Sequence, residues 1–270
     1  GDVAAGQITP DELSRHFDAV FYAVGASQSR SLGIPGEDLP GSTSATDLVA
    51  WYNAVPGAAG PVLPADGSGR AVIVGTGNVA LDVARILVSP PELLAATDIA
   101  DRALELLRRQ DIHEVVLLGR RGPETAAYTA AEFRALSVIP GVEVIVHDAA
   151  ADDLPDLSSP PPHDRRRIVF VFNAAPESAH GDRALRSVTV NAAGNRRDVA
   201  ADLLVRSIGY RSAPIDGLPF DHSSGRFPVR DGRLLDADGV AVPGAYVVGW
   251  AARGSTGGIG ANKLHAIETV

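Results

Sequence analysis

The residues of this 270-residue chain that could do chemistry lie in three constellations rich in glycine and arginine. The first is Gly75-Thr76-Gly77-Asn78-Val79-Ala80, preceded by the apolar run 70–74 and followed by 78–87, whose apolar positions have helical spacing. In a strand–turn–helix unit each small residue has a task. Gly75 permits the tight turn, Gly77 lets a pyrophosphate approach the main chain, and Ala80 lets helix and strand pack closely. The N–H groups at the helix start, aided by the helix dipole, then face the phosphates. A merely structural turn is the alternative, and the flanking strand and helix favour dinucleotide binding.

The second constellation is Arg120-Arg121, at the end of the apolar run 114–119. An NAD site usually holds a carboxylate here for the ribose 2′-hydroxyl, whereas two guanidiniums would grip a 2′-phosphate. The expected cofactor is therefore NADP rather than NAD, with a solvated basic turn as the rival explanation. The third is Gly249-Trp250-Ala-Ala-Arg253-Gly-Ser-Thr256-Gly-Gly-Ile259-Gly-Ala-Asn262-Lys263. An aromatic, a turn dense in glycine and a helix start form a surface over which a flat conjugated ring could lie, its polar edge toward backbone donors. Composition alone fits a flexible C-terminal loop equally well.

The elements that must hold these residues follow from the apolar pattern. Short buried strands are expected at 17–25, 70–74, 114–119 and 142–146, and helices at 44–52, 78–87, 98–109 and 129–137. Thr129 and Glu132 have capping-box spacing. Strands alternating with helices imply parallel βαβ units in a doubly wound α/β sheet. The stretch 56–69 reads as a surface connection, and the acidic, proline-rich stretch 148–164 as a mobile loop. Antiparallel strands are expected at 167–172, 186–191 and 202–208, then a final strand at 245–249 and a helix from about Asn262.

Composition removes several function classes. Apolar residues make up 45% and charged residues 21%, the balance of a globular chain, and no apolar stretch is long enough to cross a bilayer. With no cysteine there is no disulfide, thiolate metal site or dithiol redox centre, so redox chemistry requires a bound cofactor. A net charge of −9 argues against nucleic acid or an anionic membrane as partner. No secretion signal is read at the start, which places the chain in the cytoplasm. The absence of methionine and the initial Gly1 suggest a fragment.

Taken together, Val72-Ile-Val-Gly-Thr-Gly-Asn-Val-Ala-Leu-Asp-Val-Ala-Arg-Ile-Leu87, Gly119-Arg-Arg-Gly-Pro123 and 249–263 resemble the adrenodoxin reductase-like ferredoxin–NADP(+) reductases. Tyr22-Ala-Val-Gly-Ala26, Ile34-Pro-Gly-Glu-Asp-Leu-Pro-Gly41 and Ser207-Ile-Gly-Tyr-Arg211 fit the same family. The resemblance implies two interleaved Rossmann-like domains: partial FAD-binding pieces at 1–28 and 212–270, and a nearly complete NADPH-binding domain at 29–211. It also implies an enzyme that passes electrons from NADPH via FAD to a ferredoxin or similar iron–sulfur carrier. Thr76, Gly77, Asn78 and Val79 would meet NADP, Arg120 and Arg121 its 2′-phosphate, and Glu132 would be a further NADP-site residue. Trp250, Gly257, Gly258 and Ile259 would contact the flavin. No catalytic acid or base is implied, and no metal site.

This sequence departs from the family in four places, one of them a loop near Pro160 that is shorter than usual. The glycine fingerprint of the family's first FAD strand is not found before Gly25, and the last helix stops at Val270, so truncation at both ends and weak FAD retention are expected. Ala135 stands where the family tends to carry a second glutamate, three positions after Glu132. For an acidic carrier, Arg165-Arg-Arg167 and Arg196-Arg197 are the docking candidates. Two rivals stand beside this reading: another NADPH-dependent flavoprotein, like a glutamate synthase small subunit, and a non-catalytic NADP-binding remnant.

Overall fold

A computed structural model of the chain describes residues 6–64, 66–110, 112–152 and 154–270. Residues 1–5 of the expected first FAD piece, Ala65 of the connection and Asp153 of the proline-rich stretch lie outside the described residues. The chain divides into two compact units, 31–208 and a second formed by both ends, 1–30 with 209–270.

The larger unit is built on a six-stranded parallel sheet. Its spatial order is Ser42–Ser44, Leu203–Arg206, Arg70–Val74, Glu114–Gly119, Arg166–Phe172 and Val142–Asp148. Apart from charged residues at their ends, the central strands are apolar runs because both of their faces are covered. Ala71, Ile73, Val115, Leu117, Ile168 and Phe170 point to one side, where helices Ala45–Tyr52, Asn78–Val88, Asp101–Arg109 and Ala130–Ser137 pack. The alternate residues Val72, Val74, Val116, Leu118, Val169 and Val171 point to the other side, under the antiparallel sheet Ala174–His180, Ser187–Ala192 and Asn195–Ala200.

Two strand expectations are corrected here. Arg166–Phe172 and Leu203–Arg206 are parallel strands of the large sheet, not antiparallel ones. Arg166–Phe172 slots between Glu114–Gly119 and Val142–Asp148, the latter being the strand just before it in the chain. The antiparallel layer instead contains two strands that the sequence pattern missed, Ala174–His180 and Asn195–Ala200.

The proline-rich stretch is also tied down where a mobile loop was expected. Arg70, 1% exposed, pairs with the fully buried Glu114, and its guanidinium donates to the carbonyls of Leu157 (2.6 Å), Ser159 (3.0 Å) and Ala200 (3.0 Å). Arg167 pairs with the same carboxylate, which therefore serves two cations in the interior.

The smaller unit holds a four-stranded sheet in the order Val20–Tyr22, Ala241–Val247, Arg233–Leu235, Val229–Arg230. The first pair is parallel and the others antiparallel. Among the described residues Val20–Tyr22 stands at the edge of this sheet, with Tyr22 buried and Phe21 stacked on Tyr246 yet 43% exposed. A two-stranded ribbon, Gln28–Ser29 with Tyr210–Arg211, joins the two ends of this unit. Helices Pro10–His16, Trp250–Arg253 and Ile259–Thr269 complete it.

Candidate nucleotide-binding site

In the larger unit the first two sequence constellations meet at the carboxyl ends of adjacent parallel strands, the place where open α/β sheets bind ligands. Val74 is paired with Leu118, and the Gly75 N–H continues the ladder by donating to the Leu118 carbonyl at 2.9 Å. Gly75 has φ +118°, and a side chain there would collide with the Ser207 carbonyl. Glycine is required at this position on both counts. Thr76 packs against Gly119, its Cγ2 lying 3.2 Å from where a Cβ of that glycine would stand. Arg120 follows at once.

Gly77 is the N-cap of Asn78–Val88, an eleven-residue helix whose start has no side-chain cap. Nothing lies within 4 Å of a Cβ built on Gly77, so the helix start opens onto free space. Ala80 is fully buried and Val79 partly buried against the core, which seats the first helical turn close to the sheet. Uncapped N–H groups and the positive end of the helix dipole make this an anion site.

Arg120 and Arg121 are exposed, and neither guanidinium has a hydrogen-bond or ion-pair partner among the described residues. The turn carrying them is nonetheless fixed. The Asn173 N–H donates to the Arg121 carbonyl at 3.1 Å, and the Asn173 side chain donates to Asp148 at 2.7 Å. Asn173 adopts φ +54°, which asparagine tolerates better than most residues. Its amide, with the Ala150 N–H, holds the Asp148 carboxyl below its ordinary value. Sequence reasoning missed Asn173; an asparagine directly after the apolar strand 166–172 is the signal that marked it.

The helix Ala130–Ser137 comes to the same end of the sheet. Its cap Thr129 accepts from the Glu132 N–H at 3.3 Å, but only this half of the expected capping box forms. The Thr129 N–H goes instead to Asn78 Oδ1, at 2.9 Å. Asn78 thus ties the two helix starts together, and the exposed Glu132 carboxylate is left without a partner among the described residues.

A dinucleotide fits what is present. The helix start is uncapped beside open space for a pyrophosphate, and two unpaired guanidiniums stand at the neighbouring strand end for a 2′-phosphate.

In the smaller unit, Gly249 (φ 70°, ψ −145°) turns the chain from strand Ala241–Val247 into helix Trp250–Arg253. The Trp250 ring lies parallel to Tyr210, centroids 6.1 Å apart, and its indole N–H donates to the carbonyls of Thr256 and Gly257, both at 3.2 Å. The glycine turn is therefore hung on the tryptophan rather than free. Gly258 caps helix Ile259–Thr269 without a side-chain bond, Gly258 and Gly260 are open, and Ile259 is 90% exposed. These residues fit a flat ring with a polar edge, held between an aromatic and an uncapped helix start.

The candidate docking arginines are mostly engaged. Arg166 donates to the carbonyls of Val88 and Ile112, Arg167 is paired with Glu114, and Arg196 with Glu177. Arg166 and Arg167 are thus committed within the unit, while Arg165, Arg196 and Arg197 stay exposed.

No protein-family model matches the chain. The NADPH-ferredoxin reductase FprA of Mycobacterium tuberculosis is 43% identical over 306 aligned residues, covering all of this chain and 66% of the relative. A solved structure of that protein in complex with NADPH superimposes with a TM-score of 0.83 at 41% identity, covering 97% of this chain and 64% of that one. The chain belongs to the adrenodoxin reductase-like ferredoxin–NADP reductase family. Mouse mitochondrial NADPH:adrenodoxin oxidoreductase is 35% identical, over 95% of this chain and 60% of the relative. A probable ferredoxin/ferredoxin–NADP reductase of Mycobacterium bovis is 42% identical, over 96% of this chain and 49% of the relative. This member of the family therefore spans about half to two thirds of the length of these relatives. Among its described residues no helix is long and apolar enough to cross a membrane, and no cluster of side chains could hold a metal ion.

Proposed function

We propose that the chain belongs to a cytoplasmic, flavin-dependent oxidoreductase that draws electrons from NADPH and passes them via FAD to a ferredoxin-type iron–sulfur carrier. The observation that carries this reading is the uncapped start of helix Asn78–Val88 beside the unpaired Arg120 and Arg121, in a chain 43% identical to an NADPH-ferredoxin reductase.

In this reading the unit 31–208 binds NADPH, and the unit made of the two chain ends contributes to the FAD site. The backbone N–H groups of Asn78 and Val79 hold the pyrophosphate, with Thr76 and Gly77 shaping its approach. Arg120 and Arg121 hold the 2′-phosphate through charge-assisted hydrogen bonds. Glu132 offers a free carboxylate at the edge of the same site. Trp250 and the turn Gly257, Gly258 and Ile259 bound the flavin.

FAD, when bound, supplies the conversion between a two-electron donor and a one-electron acceptor. The side chains of this chain bind and orient, and none is assigned a proton to move. Calorimetric titration tests the reading. One NADPH is expected per chain, displaced by adenosine 2′,5′-bisphosphate, and the absence of heat with either ligand would sink it.

A further inference from the structure

Glu124 is the only carboxylate in the turn 119–126 that carries the two arginines. The chain reverses immediately after Arg121 in a single 3₁₀ turn, Pro123–Thr125. The Thr125 N–H and hydroxyl both donate to the Gly122 carbonyl, at 3.0 and 2.9 Å, and the Ala126 N–H donates to the Pro123 carbonyl at 3.2 Å. The reversal lays the Glu124 carboxylate against the Cα of Gly122, where a Cβ would stand 2.7 Å from Oε1 and 2.9 Å from Cδ. Gly122 is buried, while Glu124 itself is exposed.

The Glu124 carboxylate has no hydrogen-bond or ion-pair partner among the described residues, and neither have the guanidiniums of Arg120 and Arg121. Successive Cα atoms are about 3.8 Å apart, which places this carboxylate within roughly 8 Å of the Arg121 Cα. That separation from the Arg121 backbone is about one Debye length at physiological salt, a range over which an exposed charge is only partly screened.

We propose that Glu124 is a specificity-determining residue that narrows the site's preference for a 2′-phosphate over a 2′-hydroxyl. The inference rests on the reading of Arg120 and Arg121 as the 2′-phosphate site. A phosphate monoester there carries a charge of about −1.5 to −2 near neutral pH and is repelled by the nearby carboxylate, whereas a ribose hydroxyl is not. The arginine pair and the carboxylate therefore pull toward opposite cofactors, since a carboxylate is what NAD sites place beside the adenosine ribose.

The test titrates adenosine 2′,5′-bisphosphate and 5′-AMP into the parent chain, Glu124→Gln, Glu124→Lys and Arg120→Ala/Arg121→Ala. Glu124→Gln keeps the side chain's shape and is expected to bind the bisphosphate about 2- to 6-fold more tightly, with a larger gain for Glu124→Lys. Affinity for 5′-AMP is expected to stay unchanged in both, and the gain for the bisphosphate to shrink in high salt. Unchanged or weaker bisphosphate binding in Glu124→Gln, or an equal gain for 5′-AMP, would overturn the inference. The two failures are distinguishable. If the double arginine variant binds the bisphosphate as well as the parent does, the 2′-phosphate reading falls and the inference with it. If that variant loses binding and Glu124→Gln changes nothing, only the inference falls.

Discussion

Replacing Gly77 with alanine is expected to leave the fold intact while removing pyrophosphate binding. The backbone at Gly77 is extended, φ −87° and ψ 170°, and an added Cβ meets nothing within 4 Å. Alanine caps a helix less well than glycine by roughly 0.5–1 kcal/mol, and the reduced freedom of the unfolded chain returns about 0.4–1 kcal/mol. The melting temperature should therefore move by no more than about 2 °C. The same methyl group stands in the open space over the helix start. Each charge-assisted hydrogen bond it blocks is worth about 1.5–3 kcal/mol, so NADPH affinity should fall by roughly 10- to 200-fold per bond lost. Adenosine 2′-monophosphate, which reaches only the arginines, should bind as before. Gly75→Ala is the contrasting variant. Its φ of +118° and the Ser207 carbonyl combine strain with overpacking, together about 2–6 kcal/mol of lost stability. Thermal unfolding by circular dichroism and calorimetric titration with both ligands decide the matter. A Gly77→Ala protein that binds NADPH like the parent, or that melts as early as Gly75→Ala, would refute the reasoning.

Three further outcomes are expected. Glu114→Gln leaves the guanidiniums of Arg70 and Arg167 without their shared anion and should cost about 3–5 kcal/mol in urea denaturation; a loss well below that would mean the carbonyls on Arg70 suffice. Burial pushes the Glu37 carboxyl up, but the Ser31 hydroxyl, the N–H groups of Leu32 and Gly33 and the charge of Arg206 outweigh it and hold it below its ordinary value. Its contribution to stability is thus present above the unfolded value of about 4.3 and fades as pH falls through the lower folded value, so Glu37→Gln should be less stable than the parent near neutrality and converge with it in acid. Urea melts at both ends of that range test the sign. Trp250→Ala removes the donor that holds the Thr256 and Gly257 carbonyls, and flavin-loaded protein should release FAD faster, followed by flavin fluorescence; an unchanged release rate would reduce Trp250 to a packing residue.

The central strands were legible because a run such as Arg70–Val74, buried on both faces, can only be an inner strand of a covered sheet. Arg166–Phe172 was legible as a strand but not in its direction. It lies between Val142–Asp148, the strand just before it in the chain, and the earlier Glu114–Gly119, while the next strands along the chain form an antiparallel layer. Ala174–His180 escaped notice because Pro176 and a register shift between Pro176 and Ser178 break its alternation. A buried arginine that bonds backbone carbonyls leaves no periodic trace, which is why the anchoring of the proline-rich stretch by Arg70 came only with the structure. In the site, the glycine turn and the arginine pair are local signals. The bond from the Thr129 N–H to Asn78, which undoes half of the capping box, joins residues 51 apart and has no local signature.

The most direct measurement is titration of the parent and the Arg120→Ala/Arg121→Ala variant with NADPH and with NADH. Two charge-assisted contacts of about 1.5–3 kcal/mol each predict a loss of roughly two to four powers of ten for NADPH and a far smaller one for NADH. Equal losses for the two cofactors, or no loss for either, would show that the exposed arginines are a solvated turn and would contradict the assignment of this unit to NADPH.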